Sequence, residues 1–221
     1  VIELQNVSKT FDHLTVLRRL SLTVRPGEKI LLLGANGSGK STLLKVMAGL
    51  SRVDAGVVTR SSSSVGFVSH HLFLYGRLTV RENLSLFAAI EGSGGTEEAI
   101  ERFQLKDVAD RAVSTLSKGN QARVGIARAF VGAPELILLD EPTSNLDEQA
   151  TNVLLSAIHR RGKESGGKAS VVFATHDIHR VSGMATRVVV LDRGVVLHDS
   201  GANASRSEID RVIGLYREVN R

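Results

Sequence analysis

The stretch that decides the fold is "KILLLGANGSGKSTLLKVMAG", Lys29 to Gly49. "KILLL" is an unbroken apolar run, the texture of a strand buried on both faces. "KSTLLKVMAG" sets Leu43, Leu44 and Met47 inward and ends on Gly49, a helix stop. Between them, "GANGSGKS" fits G-x-x-x-x-G-K-[ST] in the strand-to-helix setting that the pattern requires. The loop Gly34, Ala35, Asn36, Gly37, Ser38, Gly39 is loose enough for its backbone to wrap a phosphate chain with successive N–H groups turned inward. Lys40 places a cation on the β- and γ-phosphates, Ser41 offers a hydroxyl to Mg²⁺, and Thr42 is placed to reach the α-phosphate. Strand, glycine loop and helix open an α/β unit whose ligand is a nucleoside triphosphate of unspecified base.

Outward from that unit, "ELILLDE" supplies the other half of the chemistry. Asp140 ends an apolar strand, so its carboxylate sits at the carboxyl edge of the sheet, where it can hold Mg²⁺ through water. Glu141 follows and can polarise an attacking water as general base. "VIELQNV" and "TVLRRLSLTV" alternate and read as half-exposed strands; "ASVVFATH" is a further strand, and "RVVVLDRGVVLHDS" a hairpin turning at Asp192 to Gly194. Between Leu72 and Lys118 the periodicity turns helical. Thr79 and Glu82 form a capping box ahead of Leu84, Phe87 and Ala88, and Thr96 caps a second helix with Glu97 and Glu98 in its first turn. "LDEQATNVLLSAIHR" is a helix with Val153, Leu154, Ala157 and Ile158 inward, and "SRSEIDRVIGLYREV" is a capped helix. The expected fold is α/β: one domain over 1–221 with a mostly parallel sheet, N-terminal antiparallel strands and a helical subdomain inserted at 72–118.

The bulk composition narrows the function classes. A hydrophobic share of 42% suits a full core, and the lack of cysteine removes disulfides and thiolate chemistry. No apolar run approaches the ~20 residues that cross a bilayer, and "VIELQNVSKTF" does not read as a signal peptide. The net charge of +5 is scattered, and aromatic residues make up only 4%, so no nucleic-acid partner is expected.

A second phosphate-type feature stands apart from the first. In "TLSKGNQARVGIARA", Thr115 to Ala129, a polar turn with Ser117, Gly119 and Asn120 opens a helix, which suits an anion. "GANGSGKST", "LSKGNQ", "ELILLDEPTSNLD" and "ATHD", in that order and at this spacing, resemble the ATP-binding subunits of ABC transporters over almost the whole chain. "LSKGNQ" is similar to the family signature, usually LSGGQ: Lys118 replaces its first glycine and Asn120 its glutamine, while Ser117 and Gly119 are kept.

The resemblance implies a P-loop NTPase core of RecA-like type, with ATP and Mg²⁺ as cofactors and ATP hydrolysis as the activity. It implies a head-to-tail homodimer in which Ser117 meets the γ-phosphate held by the Lys40 of the other copy. It makes Phe11 the adenine-stacking aromatic, Asp147 of "SNLD" part of a loop coupling the two sites, and His176 of "ATHD" the switch that holds the γ-phosphate and orients water. His70 stands where the family carries a glutamine that reaches Mg²⁺ and the membrane partner, which puts metal coordination from this loop in doubt. "VSHHLFLYGRLTVRENL" is similar to exporter ATPases, in particular the haem exporter subunit of cytochrome c maturation. The implied partners are integral membrane permease subunits docking between core and insertion near His70 to Tyr75. The implied place is peripheral, on the cytoplasmic face of the inner membrane. A soluble ABC ATPase acting on nucleic acid or ribosomes is the rival, disfavoured by the lack of sustained heptads or a second ATPase domain. A P-loop kinase or GTPase would not need "LSKGNQ".

Overall fold

The computed structural model describes residues 1–61, 64–69, 72–144, 146–202 and 204–219. It divides into two compact units: Val1–Ser63 with Leu138–Asp140 and Ser170–Arg221, and Ser64–Ile137 with Glu141–Ala169. The expected 72–118 insertion falls inside the second unit.

The first unit opens with β1 (Ile2–Phe11) and β2 (Leu14–Val24), an antiparallel hairpin whose two-residue turn, Asp12 and His13, has positive φ at both positions. That primed turn matches the twist of the strands. Alternation places Ile2, Leu4 and Val7 in the core, and the odd spacing between Leu4 and Val7 is absorbed by a register shift with Asn6 at φ 50°. Asparagine tolerates that left-handed conformation better than most residues. β3 (Lys29–Leu33) follows, then α1 (Lys40–Ala48), closed by Gly49 in the left-handed region. β4 (Ala55–Arg60) pairs with the other edge of β1 and completes a sheet of order β2-β1-β4. Sequence reading did not foresee β4, because no residue of it is buried and there is no apolar alternation to detect. Its Arg60 donates to the Val46 carbonyl at 3.1 Å, a cation at the C-terminal end of α1.

Three strands of this unit run parallel. β3 lies between β7 (Ser170–Ala174) and β8 (Arg187–Asp192), with Ile30 opposite both Val172 and Arg187. β9 (Val195–Asp199) returns antiparallel through the expected turn, with Arg193 and Gly194 both at positive φ. Every residue of β7 is buried, the pattern of a strand covered on both faces. Arg187 is buried and fully bonded: to both Glu28 oxygens at 3.1 and 3.0 Å, to Asp199 at 2.7 and 2.5 Å, and to the Thr23 carbonyl at 2.9 Å. A charge can be buried only with such partners.

β6 (Leu136–Asp140) is shared by the units: its last three residues belong to the first, beside β7 in the strand order. The second unit holds β5 (Val65–Val68), α2 (Val80–Ile90), α3 (Thr96–Arg102), α4 (Lys118–Phe130) and α5 (Glu148–Glu164). The expected capping box at α2 is present: the Glu82 N–H donates to the Thr79 hydroxyl at 3.1 Å, and Glu82 accepts from the Thr79 N–H at 2.8 Å. Two local expectations are corrected. Gly95, in the left-handed region, caps α3, and Thr96 is its first residue with no capping bond, because glycine reaches φ 101° without strain. Val153 is half-buried, while Ala150 and Thr151 join Leu154, Ala157 and Ile158 on the buried face of α5. Phe103 and Phe130 pack at 5.4 Å between ring centroids in the core of this unit. α6 (Ile178–Ser182) and α7 (Arg206–Val219) finish the first unit; Ser205 accepts from the Glu208 N–H at 3.3 Å, as the capped-helix reading requires.

Candidate functional site

In the first unit the glycine loop joins β3 to α1, and its last residue, Gly39, is the N-cap at φ 105° with no side chain covering the helix start. The first N–H groups of α1 are therefore left to a ligand, and the helix dipole favours an anion there. A Cβ on Gly39 would lie a tight 3.1 Å from both the Val16 oxygen and Leu17 Cδ2, on top of a φ that favours glycine. Lys40 Nζ donates to the Gly34 carbonyl at 2.6 Å and the Ala35 carbonyl at 3.1 Å, which keeps the ammonium inside the loop. Ala35, Asn36 and Gly37 are exposed at the rim, Ser38 is buried, Ser41 is exposed and Thr42 half-buried.

His176 follows β7, and its Nε2 lies 3.1 Å from Asn36 Oδ1 of the glycine loop. Adjacent parallel strands β7 and β3 bring these two together at one sheet edge, where ligands bind in such folds. Asp140 closes β6 and is only 4% exposed. A serine hydroxyl at the start of α1 and a carboxylate at the end of β6 are hard oxygen donors of the kind that Mg²⁺ takes. Phe11 is 47% exposed, so it is not a core residue. The Lys9 ammonium sits 5.1 Å from its ring centroid and is itself held by Asp54 at 2.9 Å.

The second unit carries the other anion-type feature. Ser117 caps α4: its hydroxyl accepts from the Asn120 N–H at 3.2 Å. Gln121 locks the turn before it by donating to the Val113 and Leu116 carbonyls at 3.0 and 3.2 Å. Ser117 and Lys118 are exposed, and a Cβ on Gly119 would meet nothing within 4 Å. Lys118 and Gln121 share a cavity of about 380 Å³ with Ser69, Glu141 and Pro142. Glu141 itself adopts φ 49°, and its carbonyl accepts from Ser144 Oγ at 3.0 Å, which fixes the sharp turn after β6. Strained backbone at an acidic residue beside a cavity is where functional groups concentrate. Asp147 caps α5 by accepting from the Ala150 N–H at 2.7 Å. His70 lies outside the described residues.

The structure thus unites Lys40, Asn36 and His176 in the first unit, and Lys118 with Glu141 in the second. The Asn36–His176 contact was not foreseen; only the parallel order of β7 and β3 reveals it.

A family model described as ABC transporter matches residues 17–144. The chain belongs to the ABC transporter family. Within that family, this cassette is 35% identical to the spermidine/putrescine import ATP-binding protein PotA of Lawsonia intracellularis, over 88% of the chain and 56% of PotA. It is 35% identical to the sulfate/thiosulfate import ATP-binding protein CysA of Synechococcus elongatus, over 88% of the chain and 61% of CysA. The methionine import ATP-binding protein MetN of Rhizobium johnstonii is 33% identical over 90% of the chain and 60% of MetN. The cassette therefore spans 56–61% of the length of these relatives. Among solved structures it resembles a dimeric, post-hydrolysis ATP-binding cassette bound to ADP and Pi, with TM-score 0.81 and 28% identity over 90% of this chain and 97% of that one. It also resembles an ATP-binding subunit of an ABC transporter, with TM-score 0.85 and 26% identity over 98% of this chain and 94% of that one.

Proposed function

We propose that this chain binds and hydrolyses ATP as one half of a head-to-tail homodimer that drives integral membrane permease subunits. The observation that carries the reading is Gly119. Among the described residues outside its own helix backbone, none lies within 4 Å of where its Cβ would be, and glycine in a helix costs ~1 kcal/mol relative to alanine. A bare, exposed helix start beside Ser117 suits close approach by a phosphate held on another copy. The dimeric solved cassette with ADP and Pi supports the same assembly.

In this reading Gly34 to Ser38 wrap the phosphates, Lys40 sits on the β- and γ-phosphates, Thr42 reaches the α-phosphate and Phe11 stacks on adenine. Ser41 and Asp140 would hold Mg²⁺, which would supply neutralisation of charge on the phosphate chain. Glu141 accepts a proton from the attacking water, and His176, steadied by Asn36, donates to the γ-phosphate and orients that water. Ser117 and Gly119 of one copy close over the γ-phosphate of the other, joined by Lys118 and Asn120, and Asp147 links the two sites. ATP joins the copies while intact; cleavage removes the bridge and lets them part.

The membrane subunits press on the surface carrying Phe73 and Tyr75, and the chain sits on the cytoplasmic face of the membrane. Among the described residues no helix is long and apolar enough to cross it. Direction is a finer proposal. "VSHHLFLYGRLTVRENL" favours export, and haem is the cargo that pattern suggests, whereas the three relatives above are named as import proteins. Cargo movement in vesicles of known orientation decides it. For the dimer, Glu141→Gln with saturating ATP on a sizing column should elute as a dimer; elution as a monomer would overturn the proposal.

A further inference from the structure

Arg128 lies in the last turn of α4, on the signature helix, in a setting unusual for a cation. Its guanidinium carbon is 5.4 Å from the Phe73 ring centroid and 5.1 Å from that of Phe87, so it is held between two aromatic rings. One of its Nη2 hydrogens donates to the Phe67 carbonyl near the end of β5. Burial pulls its pKa down to about 10 against the opposing pull of the Glu91 carboxylate, so the group stays charged at neutral pH. An arginine is not needed here for packing alone; an apolar side chain would cost less to bury.

The helix is pressed onto the same segment at two further points. A Cβ on Gly66 would fall 2.2 Å from the Ala129 carbonyl oxygen, and one on Gly125 would fall 2.9 Å from Leu72 Cδ2. The end of β5 and the return residues Leu72 and Phe73 are thus both seated on α4. The Phe67 and Phe73 rings lie 6.2 Å apart and the Tyr75 and Phe87 rings 6.4 Å apart, so each of the two rings facing the guanidinium is backed by another. Phe73 is held at φ 53° yet remains 43% exposed. A bulky residue adopts that conformation only where its surroundings impose it.

We propose that Arg128 is a positioning residue which fastens Phe67 and Phe73 to the signature helix, so that capture of Ser117 by a nucleotide on the other copy is carried along α4 to the exposed ring of Phe73. Ser117 and Arg128 are eleven residues apart on one helix, a span of ~16 Å. The helix acts as a lever: the nucleotide pulls at its N-terminus, and Arg128 hands the displacement to an aromatic surface at its far end. This rests on the head-to-tail reading above.

The chain contains no tryptophan, so Phe73→Trp introduces a single indole reporter. In the Glu141→Gln background, ATP should change the indole emission with the same midpoint as dimer formation on the sizing column. Adding Arg128→Met should abolish that change while the dimer still forms. Arg128→Lys keeps a cation between the rings but loses the planar fork, so it should retain part of the response. Methionine and lysine fill similar volumes, so a purely packing role predicts equal behaviour from the two. An undiminished response in Arg128→Met, equal loss in both variants, or a parent dimer whose indole ignores ATP each overturns the inference and leaves the dimer standing. A parent that forms no dimer removes the functional reading, and this inference with it. Should Arg128→Met not fold, Phe87→Leu, which removes one of the two rings beside the guanidinium, is read the same way: a reduced response supports the proposal and a full one overturns it.

Discussion

Gly39 and Gly119 each stand at the start of a helix, one capping α1 in the first unit and the other inside the first turn of α4 in the second. Gly39 is explained within its own chain. Its φ of 105° is closed to most side chains, and Val16 and Leu17 crowd the place a Cβ would take. Gly119 has helical backbone and open space where a Cβ would go, so no described residue around it requires glycine. The contrast separates two kinds of site. Gly39 is a glycine the fold demands; Gly119 is one the fold merely tolerates, and its place on the exposed turn beside Ser117 is what makes it a candidate contact for a second copy.

The sharpest way to break that contrast is Gly119→Val. ATP turnover should fall by ~10²-fold or more, the scale of losing one oriented contact to developing charge. Nucleotide affinity of the dilute monomer should stay within about twofold, and Tm should move by no more than the ~2–4 °C that 1 kcal/mol represents at this length. If Tm collapsed instead, Gly119 would be a folding residue like Gly39. Gly39→Ala should show the opposite profile. The left-handed conformation alone costs ~1–2 kcal/mol, so Tm should drop by roughly 2–8 °C in the absence of any nucleotide, which a thermal melt checks. Unchanged Tm there would mean the loop is less constrained than its geometry says.

A smaller effect tests the scaffold behind the loop. Burial opposes ionisation of Asp199, but the Arg187 bonds, the Gly201 N–H and nearby positive charge outweigh it and hold the carboxyl below its ordinary value. Its stabilising contribution is therefore complete above the unfolded-state value of ~4 and fades as pH falls through the lower folded value. Urea midpoints of the parent and Asp199→Asn should differ at neutral pH and converge in strong acid. A gap that stayed constant with pH would show that the Asp199 charge does not matter.

The glycine loop was legible because its chemistry and its fold use the same residues: β3, Gly34 to Gly39 and α1 are contiguous, and local rules cover them. The capping box at Thr79 and the helix start at Ser117 were legible for the same reason. β4 was not, since all its residues face outward or are only half-covered and it exists through pairing with β1. Arg187 and Arg128 were missed because an arginine in an alternating or amphipathic run reads as surface. Only their tertiary partners, Glu28 and Asp199 for the first and Phe67, Phe73 and Phe87 for the second, bury Arg187 and half-bury Arg128. The His176–Asn36 contact spans 140 residues and follows from strand order, which no local pattern carries.

The central claim is that each nucleotide site takes its loop from one copy and its signature from the other. Mixing two separately inactive variants, Lys40→Ala and Gly119→Val, tests it most directly. Head-to-tail pairing leaves each mixed dimer one site with both parts intact. Turnover should reappear on mixing, up to about a quarter of the parent rate, since half of randomly paired dimers are mixed and half of their sites are whole. Turnover no greater than the sum of the two variants alone, with mixed dimers shown to form, would contradict it.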